Sequence, residues 1–286
     1  MLKQYISNTL NPSTEDLLSY GVEWDVTVAD PKCTRIGNPL LHKSLPVQSQ
    51  YRGCIWDINE KKIVYYLDPN DWSKKEDGTP SKLDGTDGVV RIHIPRFYGK
   101  SEEDGNKRRV RISLSYIDDT WDVIPEMVID AYRPTEYDGK LMSVVNNTAD
   151  YRGGNRNASY DGDDVFKSTL GKPRTNLSRS AARGCAQAAN SMLMSYNIYK
   201  WVFYWNWVIE YATLNSQAAY NSELTSDGYH QGGLGNGVTT VNWNYWGYYN
   251  GYNPLIPCGY CDEFGNGTSI KEAQFTMPTS SDGTGS

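Results

Sequence analysis

The chain has 286 residues, with 28 Lys and Arg against 34 Asp and Glu, a formal net charge of −6 and an isoelectric point near 5.2. That balance speaks against a nucleic-acid binder, which carries a basic stripe. Mean hydropathy is −0.63, and Asn206 and Glu210 interrupt the most apolar stretch, Trp201 to Ala212, so no segment supplies the ~20 apolar residues of a membrane-spanning helix.

The length implies two domains, with one large β-rich domain as the alternative. Residues 1–20 are polar and hold no apolar run of signal-peptide length, so synthesis in a cytoplasm without export by the general route is expected. They read as an arm or short helix that packs on something else. Residues 21–125 read as β. The run Ile63 to Leu67 is apolar, Val90, Ile92 and Ile94 alternate with Arg91 and His93, and Val110, Ile112 and Leu114 alternate with Arg109, Arg111 and Ser113. Asp77-Gly78, Asp84-Gly85, Asp87-Gly88 and Asp104-Gly105 supply turns. The run Lys107, Arg108, Arg109, Arg111 reads as the solvated face of a strand.

Composition shifts near Pro125. Met127 to Ala131 reads as one more strand, and Arg133 to Pro173 as loop. A helix is expected from Ser178, a good N-cap, to Met194, with Ala182, Cys185, Ala189 and Met192 on one face. A second is expected from Ile198 to Ala212, where apolar residues recur at three- and four-residue steps. The chain is turn-rich beyond Asn215, and 276–286 reads as a flexible tail.

Few residues look catalytic. His42, His93 and His230 lie far apart and lack metal-like neighbours, so only folding could join them. Gly233, Gly235 and Gly237 lack the strand-before, helix-after setting of a phosphate loop and read as a tight glycine turn. Cys258 and Cys261 have CxxC spacing, but the turn-like sequence DEFGNG follows where a redox pair would open a helix. They read as free or structural thiols, and the five cysteines (33, 54, 185, 258, 261) form no disulfide framework. Asp161, Asp163 and Asp164 read as a solvated acidic loop rather than a calcium site, and Asp118 with Asp119 as a turn. No metal and no cofactor is expected.

The most distinctive stretch runs from Asn236 to Asn253, NGVTTVNWNYWGYYNGYN. No Asp, Glu, Lys or Arg occurs between Asp227 and Asp262. Rigid aromatic rings with a polar handle, interleaved with Asn, are the composition of loops that grip a foreign surface. Nothing between 236 and 253 titrates near neutral pH, which is a poor recipe for acid–base catalysis. The expected contact set is Asn242, Trp243, Asn244, Tyr245, Trp246, Tyr248, Tyr249, Asn250 and Tyr252.

The segments LGKPRTNLSRSAARGCAQAAN, YKWVFYWNWVIEYATLNSQ, GGLGNGVTTVNW and NPLIPCGYCDEFGNGT resemble the C-terminal part of C-type-lectin-fold proteins of phages and prophages of gut anaerobes, a fold shared with formylglycine-generating enzymes. Val208-Ile209-Glu210-Tyr211-Ala212 is similar to their W-E-Y-A helix signature. GVEWDVTVADPKCTRIGN, RGCIWD, YYLDPNDW, LDGTDG, RIHIPRFYG and RRVRIS resemble the N-terminal region of the same phage proteins, so the likeness covers most of 21–275.

The resemblance implies an α+β protein: an N-terminal arm (1–20), a β-rich particle-attachment domain (21–125), and a C-type-lectin-like ligand-binding domain (126–275). It implies a non-enzymatic phage fibre or adhesin of the virion, binding a bacterial surface glycan or protein. Its other partners would be virion proteins and further copies of itself, a trimer favoured, with no nucleic acid and no membrane insertion. The alternative is a purely structural virion protein whose aromatic loop is buried in subunit contacts. Some such proteins are diversified by retroelements that mutate adenines in Asn codons, and the Asn and Tyr content of 242–253 is compatible with that. The Glu-Pro-Asn, Gln-Pro-Asp and Trp-Asn-Asp signatures of calcium-dependent lectins do not occur, and Cys258 and Cys261 match the copper-binding cysteines of the formylglycine enzymes poorly.

Overall fold

The computed structural model describes residues 12–29, 31–144, 174, 177–214 and 223–230, together with the backbone of 260–261 and 270–271. The architecture is mixed α/β and mostly sheet, in line with the α+β expectation at that level. The described residues group into two compact units, one drawn from 1–51, 94–127 and 194–237, the other from 52–93, 128–193 and 238–286. Each unit takes residues from both sides of Pro125.

The first unit is built on a five-stranded sheet. Its strands are β1 (Tyr20–Asp25), β2 (Thr34–Gly37), β6 (Phe97–Asp104), β7 (Lys107–Ser113) and β8 (Asp122–Ile124), in the order β2-β1-β7-β6-β8. β6 and β7 form a hairpin in which Asp104 faces Lys107 across Gly105-Asn106, and Gly105 has a φ of 55° that glycine adopts without strain. Tyr20 pairs with Ile112 and Val22 with Val110, so period-two alternation puts these four, all at most 1 % exposed, on one face. A helix over 196–211 covers that face: Trp201 lies against Gly99 and Trp205 against Trp24.

The opposite face is charged. Gly21, Glu23 and Asp25 pair with Arg111, Arg109 and Lys107. Arg109 Nε lies 2.6 Å from Glu23, and Arg109 Nη2 3.1 Å from Asp104. Helix α1 (Thr14–Leu18), capped by Ser13, adds Asp16 at 2.9 Å from Arg111 and Glu15 at 2.8 Å from Lys100. This corrects the expected solvated basic face: Arg111 and Ser113 are buried, because α1 covers them, and carboxylates answer the other cations. The short N-terminal helix is present, held to the sheet largely by ion pairs, with Leu17 and Leu18 exposed.

The second unit has a four-stranded sheet, β4 (Lys62–Tyr66), β3 (Arg52–Asp57), β5 (Val89–Ile94) and β9 (Met127–Asp130) in that order. Ile55, Leu67, Trp72 and Val90 form its core, with Tyr65, Leu83, Ile92, Ala131 and Tyr132 packed around them. Burying each such side chain contributes about 1.5–3 kcal/mol. Turns here use one recurring device: Asp77 and Asp84 each accept from the backbone and hydroxyl of a Thr two residues on, around Gly78 and Gly85 at positive φ. A hairpin of β10 (Thr135–Tyr137) and β11 (Lys140–Met142) lies inside the stretch expected to be loop, turned by Asp138-Gly139 with both φ values positive.

Two helices differ from expectation. In the second unit, α2 spans Arg179–Ala188, capped by Ser178 Oγ on Ala181 N, and buries Ala186 and Ala189. It stops near Asn190 (φ 49°), whose amide donates to Ile58 O at 2.8 Å, so Met192 is past the helix and exposed. In the first unit the helix starts at Tyr196, two residues early, and is π-helical over Tyr199–Trp205 before returning to α over Asn206–Tyr211. The wider turn shifts the buried face from Trp201 and Val202 to Asn206, Trp207, Val208 and Ile209, leaving Trp205 half-buried.

Candidate functional site

The expected contact residues Asn242, Trp243, Asn244, Tyr245, Trp246, Tyr248, Tyr249, Asn250 and Tyr252 lie outside the described residues. So do the glycine turn at 233–237, Cys258, and Asp161, Asp163 and Asp164. Cys261 falls in the two-residue strand Tyr260–Cys261, which pairs antiparallel with Ile270–Lys271. On the N-terminal side of the contact set, the described residues nearest in sequence are the turn over 223–230, in the first unit with the end of the 196–211 helix.

A polar cluster joins that turn to the helix end. The helix stops at Ala212 with a φ of 51°, which leaves its last carbonyls without intrahelical donors. Arg35, on β2, supplies one: its Nη2 donates to Glu210 O at 3.1 Å and to His230 O at 2.8 Å. A cation there also complements the negative end of the helix dipole. Burial draws the Arg35 pKa below its usual value, while Tyr229 and Cys33 act the other way. Glu210 Oε1 lies 2.7 Å from His230 Nδ1, and the Tyr211 and His230 rings are 6.2 Å apart.

Tyr229 is gripped from several directions. The Arg35 guanidinium carbon stands 4.6 Å from its ring centroid, Lys43 Nζ 5.5 Å, and the His42 ring meets it edge-on at 6.2 Å. The turn is closed by Thr225 N donating to Tyr229 O (2.9 Å), Gly228 N to Thr225 O (2.8 Å) and Tyr229 N to Thr225 Oγ1 (3.0 Å). Gly228 takes a φ of 81°.

Beneath the helix runs a second, largely buried chain of polar groups. Tyr20 Oη donates to Gln48 Oε1 at 2.6 Å and accepts from Val47 N at 3.0 Å, while Gln48 Nε2 donates to Asn206 O at 3.2 Å. Asn206 Nδ2 bonds Tyr51 Oη and Val202 O. Burial pushes both phenols up, so they stay neutral. His42 is also buried, and desolvation lowers its pKa to about 4. Its Nε2 lies 2.9 Å from Ile36 O, and since a carbonyl only accepts, Nε2 carries the proton.

Each of the three histidines has its own described partners. His42 is a core residue, His230 pairs with Glu210, and His93 belongs to the other unit, 3.1 Å from Tyr66 Oη. Among the described residues no group of three or more His, Cys, Asp or Glu is placed to hold a metal ion. Asp118 accepts from Thr120 in a turn, and Asp119 accepts from Tyr116 Oη at 2.6 Å. Cys33, Cys54 and Cys185 are free thiols, and burial pushes Cys33 up to about 11 and Cys54 to about 12.

The sequence pattern alone does not reveal two features. One is the Arg35 cluster, whose members are 175 and 195 residues from Arg35. The other is the outer face of the 196–211 helix, where Tyr196, Tyr199 and Phe203 are exposed and the last two rings stack 6.3 Å apart. Their spacing of three and four residues was the available signal. Comparison with protein-family models, curated proteins and solved structures finds no match to this chain.

Proposed function

We propose that the protein is a non-enzymatic fibre or adhesin of a phage virion that binds a bacterial surface glycan or protein. The finer fold assigned with it is a C-type-lectin-like frame holding irregular loops. The observation that carries the reading is the stretch 236–253, a composition suited to binding and ill suited to acid–base chemistry, set in a span from 228 to 261 that holds no Asp, Glu, Lys or Arg. Asn242, Trp243, Asn244, Tyr245, Trp246, Tyr248, Tyr249, Asn250 and Tyr252 are its contact set. The Arg35 cluster supports the reading, because it ties down the chain shortly before that stretch. A single site of a few aromatic anchors, each contributing roughly 1–3 kcal/mol, binds weakly, so a homotrimer in many copies would add avidity.

The test is binding of labelled protein to a panel of gut anaerobes, wild type beside Tyr245→Ala/Trp246→Ala/Tyr249→Ala, with melting temperature recorded for both. Binding by the wild type and its loss in a normally melting variant supports recognition. An early-melting variant, together with a wild type that binds no cell, overturns it in favour of a structural virion protein with those rings packed internally.

A further inference from the structure

We infer that the π-helical segment Tyr199–Trp205 is a register switch, which exchanges the observed form with an α-helical form that buries Trp205 in place of Asn206. A π turn is rare and holds one residue more than an α turn, so its loss rotates one side of the helix against the other by about 100°. The sequence suits the α form: Ile198, Trp201, Trp205, Val208 and Ala212 recur at steps of three and four, a stripe that includes Trp205 and omits Asn206. The observed form instead buries Asn206 to 3 % exposure beside Val208 and Ile209, and leaves Trp205 half-buried.

Opposing contacts bring the two forms close in free energy. A polar clamp holds the π form: Asn206 Nδ2 bonds Tyr51 Oη and Val202 O, and Asn206 O accepts from Gln48 Nε2 at 3.2 Å. Gln48 is fixed in turn by Tyr20 Oη at 2.6 Å. Against the clamp, Asn206 Oδ1 and Trp205 Nε1 are both out of solvent and bond no described group. Buried polar atoms left unpaired weaken the form that holds them, and here an amide also takes a place in the core that an indole would fill. Packed helices pass between discrete arrangements of this kind rather than deforming continuously. The stacked rings of Tyr199 and Phe203 are exposed and turn with the segment, so the register shows on the outer surface.

The test uses protein labelled with 5-fluorotryptophan and follows the fluorine signal of Trp201, whose ring lies against Gly99 in the observed form. Wild type, Tyr51→Phe, Gln48→Leu and Trp205→Gln are compared, with amide hydrogen exchange of the β1–β7 ladder as the check on folding. Wild type is expected to exchange on the microsecond-to-millisecond scale with a minor state of about 0.1–10 %. Tyr51→Phe and Gln48→Leu, which loosen the clamp, should raise that state about tenfold. Trp205→Gln, which removes the ring that the α form buries, should abolish the exchange. A Trp201 signal without exchange in wild type and in the folded clamp variants overturns the inference and makes the π turn a fixed bulge. Exchange that persists undiminished in Trp205→Gln overturns it as well. If the clamp variants lose ladder protection, wild type beside Trp205→Gln decides by the same two criteria.

Discussion

Trp201 lies so close to Gly99 that a Cβ added to the glycine would stand 2.5 Å from the indole ring. Trp201 is 3 % exposed, and it is through this contact that the 196–211 helix seats on β6. A tryptophan ring has nowhere to bend, so the helix must lift or the strand must shift. Gly99→Ala is expected to cost about 1–3 kcal/mol by overpacking. Gly184, inside α2, is the control, because a Cβ added there would meet nothing within 4 Å. Gly184→Ala should be neutral or stabilising by up to about 1 kcal/mol. Equal effects in urea melts of the two variants would show that the Trp201 contact does not constrain the helix.

His42 makes the fold acid-sensitive. Its pKa falls from 6.5 to about 4 because burial disfavours the imidazolium. The unfolded chain therefore takes up a proton between pH 6.5 and 4 that the folded chain refuses. The stability that neutral His42 contributes is complete above pH 6.5 and is lost as pH falls towards 4. The full loss is on the order of 3 kcal/mol, from 1.36 kcal/mol per pKa unit. Denaturation midpoints measured from pH 7 to 4 should fall in the wild type and fall less in His42→Gln. Parallel profiles would mean that other groups carry the acid sensitivity.

The strands 62–66, 89–94, 107–113 and 127–130 and the Ser178 cap were legible in the sequence because each rests on neighbours in the chain. The helix register was not. Trp201, Val202, Trp205 and Val208 satisfy a 3.6-residue period, and nothing local announces the π turn that buries Asn206 instead of Trp205. The hairpin at Asp138-Gly139 did carry its signal, but the polar composition of 133–173 masked it. Arg111 looked solvated because α1, which covers it, is about 95 residues distant in sequence. The Arg35 cluster depends on still longer separations, and no motif spans them.

In the second unit, Arg91 is a buried cation with three partners. Its Nε lies 3.1 Å from Asp130 Oδ1, another of its nitrogens bonds Ser191 Oγ, and its guanidinium stands 5.6 Å from the Trp56 ring. Burial pushes the Asp130 carboxyl up even though Arg91 pulls it down. Removing the cation leaves Asp130, whose side chain is 30 % exposed, without its partner, so Arg91→Ala is expected to cost about 2–3 kcal/mol. Asp130→Asn keeps an acceptor for the guanidinium and should cost less. A double-mutant cycle by chemical denaturation measures the coupling; a value near zero would mean Arg91 acts through Ser191 and Trp56 alone.

The charged face of the first sheet should behave differently from Arg91, although it holds more ions. Glu23 faces Arg109 at 2.6 Å and Lys107 at 3.7 Å, with all three partly exposed. Water and salt screen such pairs, so Glu23→Ala is expected to cost no more than about 1 kcal/mol, and less at high salt. Arg111 lies under α1, bonded to Asp16 and Ser19 and mostly removed from solvent. Arg111→Ala should cost about 2–3 kcal/mol, loosen α1, and depend less on salt. Melts of both variants in low salt and in molar salt decide the matter: if the two lose stability equally and screen equally, α1 does not shield the sheet, and the basic run is a solvated face after all.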